Sequence, residues 1–171
     1  MFVLGTLPIV VFAAAMIFAG IRDLTTMTIP NWLTLGLALA FFIGALLVGM
    51  PLTEIARHAS AGLALLLVGM GLFSMGWIGG GDAKFVAAAS LWVGWAQALP
   101  YLLVATILGG GLTVLILLYR TMPIPGFFFR VDWLARLHDR KEGVPYGLAL
   151  AAAGLMIFPE TDVFRMALAL G

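Results

Sequence analysis

The sequence has no cysteine and only two histidines, and just 10% of its 171 residues are charged. Without cysteine there is no disulfide, no Cys-ligated zinc and no thiol nucleophile. His58 and His138 lie far apart in the chain, so a histidine-built metal site is not expected; the sequence offers no Ser-His-Asp arrangement with a buried His, and no cofactor is implied. A net charge of +1 supplies no electrostatic footprint for a nucleic-acid partner. What fills the chain instead is apolar: 63% hydrophobic residues and a mean hydropathy of +1.13. Soluble domains average about 45–50% apolar and about 25% charged residues. With so little charge an exterior could not stay dissolved, so the composition implies a polytopic membrane protein whose partners include membrane lipids.

A membrane helix needs about 20 predominantly apolar residues. The expected spans are six: Phe2–Ile21, Asn31–Met50, Ala61–Ile78, Ala83–Ala98, Tyr101–Tyr119 and Val144–Phe158. The fourth and fifth are separated at Pro100, and Pro51–Ser60 reads as a short loop or interfacial turn. Met1–Gly20 has no basic residue ahead of its apolar run, so it reads as a retained first helix rather than a cleaved signal. No linker or low-complexity tract divides residues 1–171, which are expected to form one domain. The longest connection, Arg120–Gly143, begins with a segment carrying Pro123 and Pro125. From Phe127 to Arg140, apolar Phe127, Phe128, Val131, Leu134 and Leu137 alternate with Arg130, Arg136, Asp139 and Arg140. That is the pattern of a basic amphipathic helix on the membrane surface, serving as an anchor or a docking site.

Alternate loops of a six-span chain share a side. One side collects Arg22, Lys84, Arg120, Arg130, Arg136, Arg140 and Lys141, and the other only Arg57 and Arg165. Cytoplasmic loops carry the excess of Lys and Arg, which places the N-terminus outside and the amphipathic loop helix in the cytoplasm. Asp23 and Asp82 then both fall at cytoplasmic helix ends. The count uses basic residues alone, so the convergence of the two acids is an independent result.

A carboxylate between strongly apolar segments costs about 2.5–3.5 kcal/mol at the centre of a membrane helix, so it usually faces a water-filled cavity or a functional site. Asp82 follows Gly79-Gly80-Gly81, where the backbone can come close to another backbone or to a ligand. Two carboxylates held together do not easily both ionise, so one proton is shared across the pair. One Asp can then draw a proton from water while the other donates to a carbonyl oxygen, which is peptide hydrolysis without a covalent intermediate. Each acid also has a plainer reading: Asp23 as a helix-end carboxylate beside Arg22, and Asp82 as the N-cap of the fourth helix. An acid pair near broken helices is equally what a proton- or ion-coupled transporter uses, and physics alone leaves that alternative open.

Gly79-x-Gly81-Asp82 fits the GxGD pattern of membrane-embedded aspartyl proteases. The stretch Gly79-Gly80-Gly81-Asp82-Ala83-Lys84-Phe85 resembles the second catalytic motif of the type IV prepilin peptidases. Asp23 ahead of Ile29-Pro30-Asn31 resembles their first motif, and Val144-Pro145-Tyr146-Gly147 resembles the opening of their last helix. The order and coverage of the three motifs, with the chain's length, resemble the short form that serves Tad/Flp-type pili. The resemblance implies a catalytic pair of Asp23 and Asp82 and a site shaped by Gly79, Gly80, Gly81, Pro30, Asn31, Pro145, Tyr146 and Gly147. Lys84 matches a motif position, as a group that biases the acid pair, meets substrate or lipid phosphate, or extends its cation to the interface. It further implies cleavage of the basic leader from a membrane-inserted prepilin at the cytoplasmic face of the bacterial inner membrane. Larger members carry an additional N-terminal cytoplasmic segment and also N-methylate their product; the resemblance here supports the peptidase activity and leaves methylation in doubt.

Overall fold

The computed structural model describes residues 2–123 and 131–170, and all regular structure among them is helical. The elements are α1 (Phe2–Thr26), α2 (Asn31–Leu47), α3 (Leu52–Ser74), α4 (Gly80–Tyr119), α5 (Asp132–His138), α6 (Tyr146–Ile157) and α7 (Asp162–Ala169). A 3₁₀ turn, Phe158–Glu160, joins the last two.

Several boundaries differ from expectation, each for a local reason. The first helix runs through Asp23 to Thr26 rather than stopping near Ile21. There the Thr25 and Thr26 hydroxyls donate to the Ile21 and Arg22 carbonyls, so both polar side chains are satisfied on the helix's own backbone. Residues 52–60, expected as a loop, form the opening turns of α3, where Arg57 and Glu54 pair one turn apart at 3.1 Å. The tail also contains α7, capped by the Thr161 hydroxyl, which accepts from the Phe164 N–H. The expected amphipathic helix over 127–140 is observed only as α5; residues 127–130 lie outside the described residues, and Asp139 is already extended.

The largest correction concerns α4. Pro100 sits inside this 40-residue element, and the backbone breaks instead at Gly94, with φ 67° and ψ 175°. That conformation is essentially reserved for glycine. In a straight helix Gly81 and Gly109 would lie about 42 Å apart. Yet Gly81 and Gly147 both abut Ile29, and Gly109 abuts Tyr146, the neighbour of Gly147. The element therefore folds back at Gly94 into two arms, 80–93 and 95–119. The break frees the Leu91 carbonyl, and buried His58 satisfies it by donating from Nδ1 at 2.7 Å. Pro100 is the sixth residue of the second arm, where its missing N–H withholds the bond that the Ala96 carbonyl would accept, yet the helix continues through it.

Among the described residues three helices are long and apolar enough to cross a membrane: Gly5–Thr26, Leu52–Ser74 and Gly80–Tyr119. The pair α6 and α7, bent by 52°, makes a fourth if it is counted as one span. The six expected spans are not all recovered by length and hydropathy, since α2 has only 17 residues and two of the six belong to α4.

One end of the bundle is solidly filled. Phe12 of α1 stacks on Phe158 at 4.1 Å, and Trp92 meets Phe12, Phe41 and Phe158 while donating its indole N–H to the Leu37 carbonyl. Asp23 is 11 residues beyond Phe12 on α1, about 16 Å further along the axis. There the aromatic packing gives way to a cavity.

Candidate active site

Asp23 is 5% exposed, and its Oδ2 accepts from the Gly147 backbone N–H at 2.7 Å. Gly147 is the second residue of α6, so the free N–H groups of that helix start face the carboxylate. A Cβ at Gly147 would lie 2.8 Å from Asp23 Oδ2 and 2.7 Å from Ile29 Cδ1, so only glycine allows the approach. Past Asp23 the chain leaves α1 through Met27, whose φ of 54° is left-handed. For a side chain other than glycine that conformation costs about 1–2 kcal/mol, held here beside the site.

Asp82 is the third residue of α4, whose N-cap is Gly79 rather than Asp82. Its carboxylate turns back over the helix start toward Gly79, the direction an acidic third residue takes in a capping box. The chain passes so close that a Cβ on Gly79 would be 3.0 Å from Asp82 Oδ2.

Both carboxylates line one open cavity of about 1030 Å³. They are near enough to act on one another electrostatically. The turn after α1 supplies Met27, Thr28 and Ile29, the turn before α4 supplies Gly76 through Gly79, and α4 itself opens with Gly80 and Gly81. The second arm of α4 contributes Leu102, Ala105, Thr106 and Gly110, and the approach to α6 contributes Gly143, Val144 and Tyr146. A cavity of this size, apolar with a few convergent polar groups, is the usual form of a ligand site. The carboxylates can take a proton from water and return it, and the glycine-rich rim lets an extended peptide backbone come close.

Of the residues singled out from the sequence, Asp23, Asp82, Gly79, Gly80, Gly81 and Tyr146 line this cavity, and Gly147 fastens Asp23 from behind. Pro30 and Pro145 stand at the N-caps of α2 and α6 and shape the entry of those helices. Asn31 and Lys84 face another part of the molecule, where Lys84 Nζ donates to Asn31 Oδ1 at 3.0 Å. Among the described residues no group of three or more His, Asp or Glu gathers as a metal site would require.

The second arm carries little local signal of its part in the site. Its Gly109-Gly110-Gly111 run reads as packing or a bend, yet Gly110 lines the cavity and Gly109 touches the Tyr146 ring. The signal available is the cluster of small residues Ala105, Thr106, Gly109 and Gly110, spaced to share a helix face. Tyr101, one turn from Ala105, is fully buried and its hydroxyl has no hydrogen-bond partner among the described residues. Arg120, which in the sequence is only one more cytoplasmic charge, is buried. It donates to the carbonyls of Leu137, Glu142 and Gly143, fastening the segment that ends in the cavity wall. Arg136 adds a bond to the Thr25 carbonyl and ties α5 to the end of α1.

Fold and site together define an all-helical membrane protein in which two carboxylates from separate helices share a glycine-rimmed cavity. The chain belongs to the type IV leader peptidase family, whose sequence profile matches residues 10–114 and so includes both Asp23 and Asp82. Over 161 residues it is 30% identical to the prepilin leader peptidase/N-methyltransferase of Aeromonas salmonicida strain A449. A second Aeromonas salmonicida protein of the same name matches equally, and in both cases 88% of this chain is covered. The match takes in 48% of each relative, so the chain spans about half their length. No solved structure shows significant similarity to it.

Proposed function

We propose that this chain is a membrane-embedded aspartyl endopeptidase that removes the N-terminal leader from prepilins, with Asp23 and Asp82 as its catalytic pair. The observation that carries the reading is the opening of both carboxylates into one cavity, in a chain of the leader peptidase family. The two acids share a proton: one carboxylate activates water against the scissile carbonyl, and its protonated partner donates to the developing oxyanion. The Gly147 N–H holds one oxygen of Asp23 and leaves the other for the water. Substrate backbone approaches across Gly79–Gly81, and Tyr146 borders the same space.

The topology that fits is six spans within one domain: α1, α2, α3, the two arms of α4, and α6 with its bent continuation. The N-terminus is outside, and the site opens to the cytoplasm at the inner membrane. In support, Lys84, Arg120 and Arg136 gather at the cavity end, while Arg57 and Arg165 lie beside the His58–Asp162 contact at the other. Substrates of the Flp type, carrying a basic leader that ends in glycine, are those the sequence motifs favour. An ion-coupled transporter is the weaker reading, because both acids sit at one end of the bundle rather than at mid-depth.

The test is cleavage of a candidate prepilin by purified protein. Asp23→Asn and Asp82→Asn are each expected to abolish product while the protein remains inserted and monodisperse. In Asp23→Asn the side-chain amide oxygen can still accept from Gly147, so loss of cleavage reports chemistry rather than packing. Near-normal cleavage by either variant refutes the assignment.

A further inference from the structure

A second cavity, of about 430 Å³, lies on a different side of the bundle from the carboxylates. Helices α2 and α3 diverge over the first arm of α4 and leave a groove floored by Ala87, Ala88 and Leu91. Its walls are Leu35 and Ala38 from α2, and Leu63 and Leu66 from α3. The polar groups are confined to one end, where Asn31, Thr34 and Lys84 meet. Lys84 is the one charged residue in the lining, is exposed, and has no carboxylate within ion-pair distance among the described residues. Its ammonium is steadied by Asn31 Oδ1 at 3.0 Å, which leaves further ammonium protons and the Asn31 amide free to donate.

We propose that this groove seats one acyl chain of an anionic membrane phospholipid, with the headgroup phosphate on Lys84 and Asn31. Length supports this: from Lys84 to Leu91 the floor descends about 10 Å, within the roughly 15 Å of one leaflet's hydrocarbon. Volume argues against a helix as occupant, since even the two turns that span this floor, about 10 Å across, would fill on the order of 850 Å³. Charge selects the headgroup, because a lone cation above an apolar slot complements a phosphate bearing net negative charge. Level agrees as well: Trp32, 63% exposed and adjacent to Asn31, is placed as interfacial tryptophans are. Lys84 is two residues from Asp82, so an occupied groove would stiffen the arm that carries that carboxylate.

Native mass spectrometry of the detergent-solubilised full chain tests this without reference to proteolysis. The probes are phosphatidylglycerol, phosphatidylcholine of the same acyl chains, and glycerol phosphate as the headgroup alone. Wild-type protein is expected to retain phosphatidylglycerol at least several-fold better than phosphatidylcholine, and not to retain glycerol phosphate. Lys84→Gln should lower phosphatidylglycerol to the phosphatidylcholine level, and Ala38→Phe, which fills the slot from α2, should reduce both lipids. Leu66→Trp fills it from α3 and replaces Ala38→Phe should that variant not fold. Equal retention of the two lipids by wild type overturns the proposal. Undiminished selectivity in Lys84→Gln, undiminished retention in the slot-filling variant, or glycerol phosphate held as well as the lipid overturns it too. Loss of prepilin cleavage would leave these readings unmoved, so the two proposals fail separately.

Discussion

Gly147→Ala is the sharpest perturbation the site offers, because it adds one carbon and removes no functional group. The new Cβ would lie 2.8 Å from Asp23 Oδ2 and 2.7 Å from Ile29 Cδ1, where ordinary contact begins at 3.4 Å. Something must move by about 0.6–0.7 Å. Ile29 Cδ1 is the end of a flexible side chain and can rotate; the Asp23 oxygen is held by the Gly147 N–H and has less freedom. Overpacking of this kind costs about 1–3 kcal/mol of stability. Its effect on chemistry is larger, since a misplacement of about 1 Å can cost on the order of 100-fold in rate. The expected result is a fall of about 10- to 100-fold in kcat/KM for prepilin cleavage, with the protein still inserted and its melting temperature only modestly lowered. Gly111→Ala is the matched control, because a Cβ there meets nothing within 4 Å, and it should retain cleavage. A Gly147→Ala protein that cleaves at the wild-type rate refutes the claim that Asp23 works from this position.

Two further perturbations probe the scaffold. Gly94→Ala should cost about 1–3 kcal/mol for the backbone conformation alone, and more because its Cβ would press into the His58 ring at 2.7 Å; thermal unfolding in detergent reads this, and an unchanged midpoint would mean that α4 does not turn here. Tyr101→Phe removes a buried hydroxyl with no partner among the described residues, whose burial costs about 1–3 kcal/mol, so the melting temperature should hold or rise; a fall would show that the hydroxyl is bonded, for instance to water.

Much of the site was legible because it rests on residues that chemistry forces to stand out. A carboxylate amid apolar sequence needs a reason, and counting basic residues alone is enough to bring Asp23 and Asp82 to one end of the bundle. The place of Pro30 and Pro145 at helix starts follows from the fixed φ of proline and its missing N–H. What stayed hidden is set by tertiary contact. Whether the chain turns at Gly94 or Pro100 depends on His58, 36 residues before Gly94, being present to take the Leu91 carbonyl. Proximity in sequence groups Lys84 with Asp82, but on a helix residues two apart point in different directions. The burial of Arg120 against three carbonyls has no local signature, since the same residue near a helix end is normally an exposed charge.

The turn at Gly94 also fixes how far the first arm of α4 can reach. The arm from 80 to 93 has 14 residues and rises about 21 Å, roughly 9 Å less than the hydrocarbon it would have to traverse. With its Lys84 end at the headgroup level, its Gly94 end stops short of the opposite boundary, and the turn itself falls within the hydrocarbon thickness. The Leu91 carbonyl that the turn frees then has no bulk water to bond, and His58 must meet it from within the protein.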